Sequence, residues 1–139
     1  MSLGAELVAR IEVAVAAYGS GRPVPSAELR EGLTVLGLVP DPDYEEFVGR
    51  WGGCFVGVPV HAWDNASILG NESSVELTTR AREAYGMLID GVVIADDGSG
   101  NPIWIAADGR VRLVDHDNGG ETVELAPDFR TLLADNVHD

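Results

Sequence analysis

Side chains with chemical potential gather in the last third of the chain. Asp96-Asp97-Gly98-Ser99-Gly100-Asn101 has the oxygen density of a calcium loop, and Asp115-His116-Asp117 sets an imidazole between two carboxylates, the residue types of an oriented base or part of a metal site. Neither spacing completes a site. The first lacks the alternating Asp/Asn ligands before the glycine and the closing glutamate of an EF-hand, and Asp with Gly at that density is also what a hairpin turn needs. In the second, strand geometry sends neighbouring side chains to opposite faces, so His116 cannot easily share a site with both aspartates and the triplet reads as a solvated strand end. His61 and His138 lie far off in sequence, with no zinc spacing. Cys54 sits in an apolar run, where a buried, inert thiol is expected. No Gly-x-Ser-x-Gly elbow, dinucleotide fingerprint or phosphate loop occurs, so catalysis finds no foothold and the chain is expected to be non-enzymatic and free of cofactors.

Charge narrows the partners. The 139 residues carry 9 basic and 23 acidic side chains, net −14, and every basic residue is an arginine. A broad cationic surface able to neutralise phosphates or anionic lipids is excluded, so neither nucleic acid nor membrane is an expected partner. Such a charge either steers the chain to a basic protein surface or does no more than keep it soluble. The lone cysteine excludes an intrachain disulfide, and no uncharged apolar run is long enough to span a bilayer, so a cytoplasmic, soluble protein is expected.

These residues must be positioned by helices first and strands later. Residues 3–18 repeat Leu3, Leu7, Ile11 and Val15 every four positions, an amphipathic helix. Ser26 is placed to cap a short helix carrying Leu29, Leu33 and Leu36, ended by Gly37. Residues 41–51 form a third, with Pro42 in the first turn, Tyr44, Phe47, Val48 and Trp51 on one face, and Gly52-Gly53 as the stop. Residues 54–63 are β-rich but broken by Gly57 and Pro59, an irregular or edge strand. After a polar loop, residues 74–85 give a fourth helix, with Val75, Ala81 and Tyr85 inward and Arg80, Arg82 and Glu83 towards solvent. Four β-prone runs follow, at 91–95, 102–106, 110–114 and 121–125, joined by Asp/Gly/Asn turns as an antiparallel meander. Pro127 starts a last helix with Phe129, Leu132 and Leu133 inward. This is an α+β domain spanning 1–139, with a central, largely antiparallel sheet packed by N-terminal, middle and C-terminal helices. Within the second run Trp104 alternates with Ile103 and Ile105, so it is either covered by a helix or exposed as an interface anchor.

Leu36-Gly37-Leu38-Val39-Pro40, then Asp43-Tyr44-Glu45-Glu46-Phe47 and Trp51-Gly52-Gly53, resemble the amino-terminal signature of the SUKH superfamily, an "LP-x-x-Y-x-x-F" helix leading to a glycine doublet. The 93–103 segment is similar to its "ia-D-x-G-G-D/N-x-I" hairpin. Asp108-Gly109-Arg110-Val111, Asp115-His116 and the segment 126–133 match its next hairpin, strand end and closing helix. Two departures stand out: Val39 replaces the usual leucine before Pro40, and residues 55–63 are unusually apolar. The superfamily contains the fungal cell-wall-synthesis regulators and many bacterial toxin-immunity proteins. The resemblance implies an α+β fold and a non-enzymatic protein that binds a cognate toxin, often a nuclease, through a surface that varies between members.

With the −14 charge, this leads to an expected immunity protein whose acidic face occludes a basic toxin groove. The residues expected to carry it are Asp96, Asp97, Asp115, Asp117 and Glu121 near the hairpin ends, with Trp63 or Trp104 as an apolar anchor. The rival expectations are a regulatory scaffold for an endogenous protein, and an enzyme or calcium-dependent protein using Asp96, Asp97 or His116.

Overall fold

The computed structural model describes residues 3–137; His138 and Asp139 lie outside them. In chain order the elements are α1 (Ala5–Tyr18), α2 (Ser26–Thr34), α3 (Pro42–Trp51), β1 (Cys54–Phe55), β2 (Pro59–Val60), α4 (Ser74–Tyr85), β3 (Val92–Asp96), β4 (Pro102–Ile105), β5 (Val111–Asp115), β6 (Glu121–Ala126) and α5 (Phe129–Asn136). The last four strands form one antiparallel sheet in sequence order, β3-β4-β5-β6, so the class is α+β as the helix-then-strand pattern predicts.

α3 shows how local sequence sets the frame. The Asp41 carboxylate accepts the amides of Asp43 (3.0 Å) and Tyr44 (3.1 Å), and Pro42 occupies the first turn, where no amide is needed. The helix stops at Gly52, whose φ of 64° favours glycine and whose added Cβ would lie 2.4 Å from the Arg22 carbonyl oxygen. At Gly53 a Cβ would come within 2.0 Å of Asn65 Oδ1. The doublet is therefore required by close packing of three chain segments as well as by the turn.

The sheet separates two apolar clusters. One face packs, through Val92, Ile103, Ile105 and Val111, on α1, α2, α3, α5 and the β1–β2 hairpin. Phe129 of α5 sits edge-on to both Tyr44 and Phe47, with ring centroids 5.7 Å apart in each pair, and joins α5 to α3. Tyr44 is fully buried and its hydroxyl donates to the His61 carbonyl oxygen (2.6 Å), which fastens α3 to the end of β2. On the other face α4 covers Val93, Trp104 and Val114 with Leu77 and Ala81.

Four local expectations are corrected. Residues 54–63 do not form one strand: positive φ at Gly57 folds them into the β1–β2 hairpin, paired Cys54 with Val60 and Phe55 with Pro59, and their apolar side chains enter the main cluster. Ser26 is the first residue of α2 and does not cap it; its hydroxyl donates to Glu45 Oε2, and Arg30 reaches the same carboxylate. Leu36 lies beyond the end of α2. Arg82 turns inward, donating to the Leu36 carbonyl (2.8 Å) and the Ile89 carbonyl (3.3 Å).

Candidate partner-binding surface

Antiparallel order places the 97–101 turn and the 116–120 turn at the same end of the sheet, with the 107–110 turn at the other. Asp96, Asp97, Asp115, Asp117 and Glu121 are thereby brought to one end from two separate hairpins. Among the described residues none of them is paired with an arginine; the only cationic candidate beside them is His116, whose Nε2 lies 3.3 Å from Asp117 Oδ1. Asp115 and Glu121 face each other across the β5–β6 pairing. The opposite end is compensated: Arg112 and Arg110 both meet Asp108, and Arg110 also meets Glu124 at 3.0 Å.

Three of the four aspartates also build their turns. Asp96 Oδ1 accepts from the Gly98 amide (2.8 Å), Asp97 Oδ1 from the Ser99 amide (2.9 Å), and Asp115 accepts from the Asp117 amide (3.1 Å) and the Asn118 side chain (2.6 Å). These are the Asx turns that the Asp/Gly density implies. Partial burial acts to raise the Asp97 carboxyl, but hydrogen bonds from the Asn101 side chain and the Ser99 and Asn101 amides outweigh it and hold the group below its ordinary value.

Asn101 joins the two turns. Its side chain is 4% exposed, donates through Nδ2 to Asp97 Oδ2 (2.8 Å), and accepts at Oδ1 from the His116 amide (3.1 Å) and from His116 Nδ1. Sequence reasoning places Asn101 only in a turn; its partner His116 is fifteen residues away, so no local pattern marks it. The alternation argument for His116 also fails. β5 ends at Asp115 and a 3-10 turn follows, so His116 does not take the next strand position; its ring is held between Asn101 Oδ1 and Asp117 Oδ1.

The two tryptophans lie elsewhere. Trp104 is 1% exposed beneath α4, and its Nε1 donates to Asp90 (2.9 Å); helix cover therefore removes it as an exposed anchor. Trp63 is half-buried against the main cluster, with its ring over Gly32 of α2, on the helical side of the molecule instead of the sheet end. Burial pushes the Cys54 thiol up to about 12, as suits an inert core sulfur.

A cavity of about 560 Å³ adjoins the acidic end, floored by Ile103, Leu125 and Leu132 and rimmed by Asp96 and Asp97. Among the described residues no group of three or more His, Cys, Asp or Glu side chains is placed to hold a metal ion, and no helix is long and apolar enough to cross a membrane.

A family model described as the SMI1 / KNR4 family (SUKH-1) matches residues 23–135. The chain belongs to that family. No curated protein and no solved structure matches it. The SUKH-1 match takes in the Asp41-capped helix, the glycine doublet, the whole meander and most of α5, and leaves out all of α1.

Proposed function

We propose that this SUKH-1 chain is the immunity partner of a bacterial polymorphic toxin, which it binds and blocks by covering a basic surface of the toxin, such as a nuclease's substrate groove. The observation that carries the reading is the collection of five carboxylates from two hairpins at one end of the sheet, with no arginine paired to them among the described residues. SUKH proteins are in general non-enzymatic immunity or regulatory proteins, which supports action by binding. A field of this sign accelerates encounter with a cationic surface and falls with ionic strength.

Co-expression with the product of the neighbouring gene tests it. Rescue of growth together with a stoichiometric complex is the expected result, and a toxic neighbour that is neither bound nor neutralised rejects the pairing. Within a complex, D117K combined with E121K is expected to slow association about ten-fold and flatten its salt dependence. Unchanged association would reject the electrostatic mechanism while leaving immunity itself standing.

A further inference from the structure

The two edges of the sheet are finished differently. At β6, β5 pairs on one side, and among the described residues no backbone group of residues 121–126 is hydrogen-bonded to anything outside the sheet. An edge left in this state is a template for another strand over residues 121–124, where the ladder is regular, with the register shift falling at Leu125. Its side chains say which kind. Val123 and Leu125 are 42% and 40% exposed, and Leu125 lines the apolar cavity described above. Glu121 is also exposed and stands opposite Asp115, two like charges directly across a strand pair, an arrangement that is unfavourable until a cation joins it. A second copy of the chain is a poor occupant, because it would bring the same carboxylates on a molecule of net charge −14.

We propose that β6 accepts an extended segment of another protein as a fifth strand, with a Lys or Arg laid beside Glu121 and Asp115 and apolar side chains over Val123 and Leu125. This rests on the reading that the chain acts by binding a protein, and it names the mode of binding. Main-chain hydrogen bonds supply affinity, while the acid-then-apolar order along β6 selects the segment and its direction.

The probe is a capped peptide of about eight residues, the length of a typical strand, with valine, valine and arginine at successive alternate positions and threonine between them, so that one face carries all three side chains to meet Leu125, Val123 and Glu121. It is compared with a peptide carrying glutamate for the arginine, and with the arginine peptide fully N-methylated, which keeps the charge but removes the strand donors. Binding is followed by NMR shifts and by amide hydrogen exchange. The arginine peptide is expected to slow exchange across residues 121–126 and to bind at least about ten-fold more tightly than either control, a difference of about 1.4 kcal/mol. The double variant V123K/L125K alters two exposed side chains, so it should keep the melting temperature while weakening the peptide by about ten-fold. Equal binding of the N-methylated peptide, shifts confined to the acidic turns, or no binding at millimolar concentration each overturns the proposal. Co-expression with the neighbouring gene product is scored separately. A complex in which β6 stays unprotected rejects strand addition and leaves the immunity reading intact; peptide pairing at β6 without such a complex does the reverse.

Discussion

β3 and β6 bound the same sheet and solve the edge problem in opposite ways. At β3 the Ile94 carbonyl accepts the His61 amide (2.7 Å), and the Val93 amide donates to the Thr78 hydroxyl (2.9 Å) from α4. Both edge strands carry a register shift, between Val93 and Ala95 in β3 and between Glu124 and Ala126 in β6, so the shift does not separate them. Among the described residues no hydrogen bond from another element reaches the β6 backbone, and carboxylates stand beside it instead. Covering an edge removes it from association altogether, whereas charging it leaves association open to partners of the opposite sign.

The sharpest way to break this contrast is to empty the closed side. Trp104→Ala removes the largest side chain under α4 and leaves Asp90 without its indole donor, so denaturant unfolding should show a loss of about 3–5 kcal/mol. Thr78→Val keeps the shape but strands the Val93 amide in a buried position; about 1–3 kcal/mol should be lost, and Thr78→Ser should recover most of it. Asn101→Ala, which uncouples the two acidic turns while sparing both edges, is expected to destabilise by about 1–2 kcal/mol and to speed amide exchange in residues 97–101 and 116–120 first.

Acid should separate the regions without any mutation. The Asp97 carboxyl is held below the ordinary 3.8, so the opened turn binds a proton more readily than the closed one; its stabilisation is complete above 3.8 and is lost as pH falls through the depressed value. Glu45 shares that sign through its bonds to Ser26 and Arg30, and so does Asp128 through Thr131. Asp41 has the opposite one, because burial raises its carboxyl and protonation relieves that cost. The hydrogen bonds that close β3 involve only a hydroxyl and backbone groups. Hydrogen exchange on lowering the pH below about 4 should therefore show residues 97–101 opening before β3. The smallest effect belongs to the open edge: Val123→Thr should change stability by no more than about 0.5 kcal/mol, since the side chain is already half in water.

Much of this was legible from residue order. The 3.6-residue repeats located the helices, the glycine-rich turns located the meander, and the hairpin count alone determines that Asp96, Asp97, Asp115, Asp117 and Glu121 share one end. What stayed hidden depends on contacts distant in sequence. The apolar run 54–63 has the composition of a strand, yet only packing of Gly57 against the Asn136 carbonyl, where a Cβ would sit 1.9 Å away, explains its tight reversal. Trp104 alternates with two isoleucines in either of its possible environments, and α4, encoded twenty residues earlier, decides between them. Arg82 looks solvated until the Leu36 carbonyl, 46 positions away, is placed beside it.

The Asx turns at the acidic end also bear on the entropy of recognition. A surface carboxylate ordinarily samples several rotamers and surrenders them when a partner arrives, a loss of about 0.5–1.5 kcal/mol for each immobilised side chain. Asp96, Asp97 and Asp115 are already fixed by amides of their own turns, and Asn101 locks one turn to the other. A cationic surface meeting this end of the sheet therefore finds an array of charges whose ordering was completed when the chain folded, and that saving is available to any partner, whatever its sequence.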